Sequence, residues 1–164
     1  MPSNTKKTIK TTAGILLYRL RGEVLEVLLI HMGGPFWAKK DKGAWSIPKG
    51  EPNEFEDLLL CACREFKEET GNEITGDFHP LESIKQSGGK MVYAWSIEGD
   101  VDASSIKSNL FEMEWPPRSG IKKMFPEVDR ASWFSFSEAR EKIIKGQQPL
   151  LDQLENLLRE GKIR

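Results

Sequence analysis

GEPNEFEDLLLCACREFKEETG, residues 50–71, packs seven carboxylates and two cysteines between two glycines. A helix over about 54–70 accounts for the pattern. Asn53 followed by Glu56 has the spacing of a capping box. Gly71 stands where a left-handed C-cap is wanted. Leu59, Ala62, Cys63 and Phe66 recur at i, i+3, i+4 and i+7, an apolar stripe for a core. Cys63 then reads as a small packed hydrophobe, with a reactive thiol as the alternative. Glu65, Glu68 and Glu69 fall within an arc of about 100° on one face. Glu68 has Arg64 four residues before it, but Glu65 and Glu69 have no cation at i±3 or i±4. A solvated acidic face tolerates this at a cost of tenths of a kcal/mol per like pair. If the face is partly buried, carboxylates ~6 Å apart repel by roughly 3 kcal/mol at an effective dielectric of 20. A divalent cation would turn that repulsion into attraction, and an all-oxygen ligand set selects a hard ion, Mg2+ or Mn2+.

Working outward, residues 8–20 and 24–32 read as two strands joined across Arg21-Gly22. GGPFWAKKDKGAW, 33–45, is a Gly- and Lys-rich loop with aromatics. A short strand at 45–47 leads into Pro48-Lys49-Gly50. Residues 79–86 and 90–98 form an antiparallel pair joined by SGGK, and 106–114 are ambiguous. WPPRSG, 115–120, is a loop because paired prolines and glycine forbid regular structure. A strand over 131–136 precedes a helix capped by Ser137 and ending near Lys145. Pro149 opens a last helix, whose stripe of Leu150, Leu151, Leu154, Leu157 and Leu158 serves either core packing or a dimer seam. Six or so strands with three helices and no regular βαβ alternation imply a mixed sheet with helices packed on it.

Composition bounds the rest. The 164 residues suit one domain, and a net charge of −1 gives no general attraction to nucleic acid or anionic membrane. No apolar run approaches the ~20 residues of a membrane span. MPSNTKKTIK has no apolar segment of the secretory kind. Cys61 and Cys63 are two apart on one helix and point to different sides, so no disulfide is expected between them. His31 and His79 are the only histidines, and no zinc spacing occurs. Reduced thiols and no signal favour the cytoplasm.

Gly50, five residues, Glu56, seven residues, then Arg64-Glu65-Phe66-Lys67-Glu68-Glu69-Thr70-Gly71 resembles the signature of the Nudix (MutT-type) hydrolase family, G-x5-E-x7-R-E-U-x-E-E-x-G-U. Asn72 stands at the final apolar position, a departure that touches packing and no ligand. Pro48-Lys49 resembles the usual lead-in. The resemblance implies a single Nudix domain over 1–164, an α/β (α+β) fold built as an α/β/α sandwich with a mixed sheet between helices. It implies a Mg2+-dependent pyrophosphohydrolase that cleaves the P–O–P bridge of a nucleoside diphosphate linked to X. Glu65, Glu68 and Glu69 would hold the metal, with the backbone carbonyl of Lys49. Arg64 would steady the glutamates, with Gly50 and Gly71 as structural support. Glu56 either caps the helix or also supports the cluster. Glu65 is the first choice of general base. Glu127, six residues before Trp133, is the later-loop candidate for base and metal ligand, with Glu112 and Glu114 as rivals. A nucleotide sensor without turnover is the alternative reading. Attack on an RNA 5′ end is a third, against which the lack of a long basic track counts. Oligomeric state stays open.

Groups for the rest of a nucleotide lie outside this motif. One loop offers Phe36, Trp37, Lys39, Lys40, Lys42 and Trp45, and the other offers Trp115, Arg118, Lys122 and Lys123. Aromatic faces can stack a base, and Lys49, Lys39 and Arg118 can meet phosphates. Trp45 alternates with Ile47 and is equally suited to the core.

Overall fold

The computed structural model describes residues 9–86 and 88–163. Residue 8 of the first expected strand and Ser87 of the SGGK turn lie outside them. Strands β1 (Thr11–Arg21) and β2 (Val24–Met32) pair antiparallel, turning at Gly22 with φ 65°. Two short strands follow, β3 (Trp45–Ser46) on β2 and β4 (Lys49–Gly50) on β1. Helix α1 spans Leu58–Thr70. Strands β5 (His79–Pro80) and β6 (Ile84–Gln86) both pair antiparallel with β7 (Lys90–Glu98), which lies parallel to β1. Strands β8 (Leu110–Glu114) and β9 (Lys122–Pro126) form a separate ribbon. Strand β10 (Val128–Ser135) pairs with β2, and helices α2 (Phe136–Lys142) and α3 (Gln148–Arg159) close the chain. The main sheet runs β10-β2-β1-β7-β5.

The central strand explains the layers. Side chains alternate along β1. Ala13, Ile15 and Leu17 pack with Cys61, Ala62 and Phe66 of α1, whereas Leu16 and Tyr18 pack with Ala139 of α2 and Leu150, Leu151 and Leu154 of α3. The α/β/α sandwich around a mixed sheet is therefore present. The α3 stripe packs in the core, the first of its two readings, with Leu157 and Leu158 at the margin.

Several boundaries differ from those read in the sequence. Helix α1 starts at Leu58, capped by Asp57, whose carboxylate accepts from the Leu60 N–H at 3.3 Å. Phe55 is the reason. Its φ of 62° is left-handed and breaks a helical path from Asn53. The Glu56 half of the capping box still forms and closes a turn ahead of the helix: the Asn53 N–H donates to Glu56 Oε1 at 3.0 Å, and the Glu56 N–H donates to the Asn53 backbone carbonyl at 3.0 Å. The buried stripe of α1 is Cys61, Ala62, Phe66 and Thr70, so Cys61 joins the core while Leu59 and Cys63 are half-buried. Gly71 caps as expected, at φ 78°. Helix α2 is capped by Ser135 rather than Ser137 and ends at Lys142. The strand count rises from six to ten because Lys49–Gly50 adds a two-residue strand, 79–86 divides into β5 and β6, and the ribbon adds β8 within the ambiguous 106–114 and β9 beyond it.

Candidate active site

The lead-in to α1 is set against β1. The Ile15 N–H donates to the Pro48 carbonyl at 3.0 Å, and Gly14 pairs with Lys49. A Cβ on Gly14 would meet the Pro48 oxygen and Lys49 Cβ at 2.7 Å, so only glycine allows this crossing. Gly50 plays the same part for the helix. A Cβ there would fall inside the Glu65 carboxylate, which lies directly against the Gly50 backbone.

Arg64 is the hub of the acidic face. Its Nε and Nη2 donate to the two Glu56 oxygens at 2.9 Å each. Its Nη1 donates to Glu65 Oε1 at 2.9 Å and to both Glu68 oxygens at 3.1 Å. Glu65 therefore has an adjacent cation, which counting at i±3 and i±4 overlooks. Glu56 accepts from the Asn53 N–H and also from Arg64, which links it to the acidic face. Arg64 and the Asn53 N–H hold its carboxyl down at about 2.

Glu69 is different. The Lys49 N–H donates to its Oε2 at 3.1 Å. Burial pushes its carboxyl up to about 8, and the nearby charges of Glu65 and Glu127 add to the rise. Burial and Glu68 raise Glu65 as well, against the pull of Arg64. Burial, then Glu68, raises Glu127. The Lys49 ammonium is lowered by burial and by Lys90, and supported by Glu69, Glu51 and Glu65. Lys90, at the start of β7, is not visible as a site residue in the sequence. It reaches the cluster only because β7 runs beside β1, which no local spacing reveals.

Glu127 is tied to the same face through the backbone. Its N–H donates to the Asn109 carbonyl at 2.8 Å, and the Asn109 N–H donates to the Glu68 carbonyl at 3.0 Å. The Gly33 N–H donates to the Glu127 carbonyl at 2.9 Å, and a Cβ on Gly33 would collide with the Pro126 oxygen. Glu112 and Glu114 lie out along the ribbon instead. Glu112 pairs loosely with Lys122 (3.8 Å), and Glu114 accepts from the Gly120 N–H (3.3 Å).

The donor chemistry suits a hard divalent ion. Glu65, Glu68, Glu69 and Glu127 offer oxygens alone, and three of the four are held toward their neutral forms by burial and by one another. Among the described residues, no three His, Cys, Asp or Glu side chains already stand at the spacing of a metal cage. Arg64 Nη1 instead bridges Glu65 and Glu68. Burial pushes the Cys61 thiol up to about 11, and the thiol donates to the Gly50 carbonyl at 3.6 Å.

The remaining predicted contacts separate. Trp45 is only 4 % exposed. Its indole meets His31 and Phe134 edge-on at 5.1 and 4.9 Å, and its N–H donates to Asp41. It is a core residue, and its face is not open to a base. Lys39 is exposed on its loop, and Lys40 lies 5.0 Å over Trp37. Phe36 and Trp115 meet edge-to-face at 5.5 Å, so the two loops read separately in the sequence touch. Arg118 sits at the tip of the ribbon with φ 62°. Strand β8 from Leu110 to Glu114 spans about 13 Å at the usual strand rise, and the turn that carries Arg118 lies at its far end from Asn109 and the Glu68 carbonyl.

A family model of the NUDIX domain matches residues 8–154. The NUDIX domain of Shewanella oneidensis NrtR, solved with ADP ribose, superposes with TM-score 0.66 at 16% identity, covering 93% of this chain and 90% of that one. A C. elegans Ap4A hydrolase superposes with TM-score 0.64 at 20% identity, covering 91% and 98%. The African swine fever virus mRNA-decapping protein g5R is 54% identical over 37 residues, 23% of this chain and 14% of that protein. The match thus spans a small part of that longer relative. The family match over most of the chain, with the mixed sheet between helices, places this protein in the Nudix family of hydrolases, enzymes that act on phosphoanhydride bonds.

Proposed function

We propose that the chain is a Mg2+-dependent pyrophosphohydrolase cleaving the P–O–P bridge of a nucleoside diphosphate linked to a second group. The observation that carries this reading is the crowding of Glu65, Glu68, Glu69 and Glu127 beside Arg64 and the Lys49 N–H. These four carboxylates, with the Lys49 carbonyl, would hold the metal. When bound, a divalent cation supplies Lewis-acid charge to phosphate oxygens and a water nucleophile. Arg64 keeps Glu65 and Glu68 at fixed positions on the helix. Glu65, desolvated and raised, is suited to take the proton of the attacking water, with Glu127 as the second choice. Lys49 and Lys90 face the phosphates. Lys39 and the exposed Phe36 edge meet the nucleoside end. Arg118 is reached only by a long second group. The two free thiols, Cys61 and Cys63, agree with a cytoplasmic enzyme. No helix among the described residues is long and apolar enough to cross a membrane.

Nucleoside triphosphates, dinucleoside polyphosphates and ADP-ribose are the substrate classes that fit. The resemblance to a viral decapping protein adds a capped RNA 5′ end to the panel. Purified protein with Mg2+ is expected to release a nucleotide product from at least one of these four. Metal binding without release from any of them would favour a nucleotide-binding module instead.

A further inference from the structure

We propose that His31 is a positioning residue that locks the Lys-rich loop 33–44 to the start of β10, directly after Glu127. His31 lies on β2 with 0% of its surface exposed. Its Nδ1 is 2.8 Å from Asp129 Oδ1, and its Nε2 is 2.7 Å from the Lys40 carbonyl oxygen. A carbonyl and an ionised carboxylate only accept hydrogen bonds. The Nε2–H must therefore point at Lys40, and a second proton lies between Nδ1 and Asp129. One ring thus grips both sides at once.

Both gripped groups occupy telling places. In the β10–β2 pairing, Val128 faces Met32 and Arg130 faces His31, so Asp129 is the extra residue of a bulge. Bulges re-aim neighbouring side chains, and Glu127 is two residues away. Lys40 lies midway along a loop whose ends are already tied, by the Met32 N–H to Ala44 and the Gly33 N–H to Glu127. Around Lys40 the backbone makes short turn bonds, from Trp37 N–H to Gly34, from Lys40 N–H to Trp37 and from Ala44 N–H to Asp41, and the far limb is tied to α2 by the Gly43 N–H to Glu141 and by the Asp41–Lys142 pair, so His31 is the side chain that holds the middle of the loop to β2 and β10. Trp45 backs the ring edge-on, and it is itself fixed by Asp41 and covered by Arg130. The catalytic consequence rests on the hydrolase reading above, while the clamp itself does not.

Backbone amide exchange tests the clamp without substrate. In His31→Phe, the amides of Gly33, Trp37, Lys40 and Ala44 exchange about tenfold faster, while those of β1 and β7 stay within about twofold. Asp129→Asn keeps wild-type loop protection. A neutral imidazole can still donate to Lys40 while its Nδ1 accepts from the substituted side-chain amide, an arrangement Asp129→Ala cannot restore. Should His31→Phe not fold, the contrast between Asp129→Asn and Asp129→Ala decides. Unchanged loop exchange, or acceleration spread evenly over the sheet, overturns the proposal. With diadenosine tetraphosphate as probe, KM rises about fivefold in His31→Phe and kcat stays within about twofold. A fall confined to kcat contradicts the loop role. Absence of turnover of this probe by the wild type moves the kinetic comparison to whichever of the four substrate classes the wild type cleaves, and absence of turnover on all four removes the hydrolase reading and leaves the exchange result to judge the clamp.

Discussion

The acidic face of α1 and the β8–β9 ribbon are joined through Asn109 and are built in opposite ways. On α1, Arg64 bonds Glu56, Glu65, Glu68 and the Glu51 carbonyl, and Gly50 lies against the Glu65 carboxylate. Few of these residues can change without moving several others. The ribbon forms its own two-stranded sheet, leaves Leu110, Ile121 and Met124 more than half exposed, and is tied to α1 near its base through Asn109. A ribbon of this kind has little stability of its own. The contrast separates tasks. Rigid, mutually bonded carboxylates suit the reacting phosphate, and the looser ribbon with the facing 33–44 loop suits the choice of second group.

The largest effect should come from the rigid side. Glu65→Gln is expected to lower kcat by about a thousandfold with little change in KM, as loss of a general base would. Near-normal turnover by this variant would remove Glu65 from the chemistry. Gly50→Ala should follow. Its new Cβ displaces the Glu65 carboxylate, and a displacement of about 1 Å can cost about a hundredfold in rate. A crystal structure of that variant with Glu65 unmoved would break this explanation of Gly50.

The same crowding should appear as pH dependence in metal-free protein. Glu69 titrates near 8 when folded, above its ordinary 4.5, so the folded state binds the extra proton between these values. Stability must then fall as pH rises from about 5 to 8, because the unfolded state has already released that proton. Thermal melts across that range should show the fall in wild type and a flatter profile in Glu69→Gln. Equal slopes would mean that Glu69 is not the strained group. The smallest effect belongs to the ribbon. Arg118→Ala should raise KM for a dinucleoside polyphosphate by about threefold and leave ADP-ribose unchanged, since it is one exposed cation at the tip of the ribbon. An equal loss on both would place Arg118 at a phosphate that the two substrates share.

Much of the α1 side is legible in the sequence because its logic is local. Fixed spacing places Glu65, Glu68, Glu69 and Arg64 on one face, and Gly71 marks the end. Local spacing fails where the backbone leaves ordinary geometry. Nothing in the chain announces that Phe55 adopts a left-handed φ, so the expected helix start lies four residues early. Contacts made by sheet pairing are invisible for a different reason. Lys90 nears Lys49 through β7 on β1, and Asp129 reaches His31 through a bulge, each across many residues of sequence. Trp45 shows the limit of composition. An aromatic in a Lys-rich loop suits a base as well as a core, and only its burial between His31 and Phe134 decides between them.

The most direct test is titration of purified protein with Mn2+, followed by the paramagnetic resonance signal of the free ion, with Mg2+ as competitor. Wild type is expected to bind Mn2+ and to release it to Mg2+, and Glu65→Gln and Glu69→Gln are each expected to bind at least about tenfold more weakly. Equal binding by wild type and both variants would contradict the claim that this helix face is the metal site.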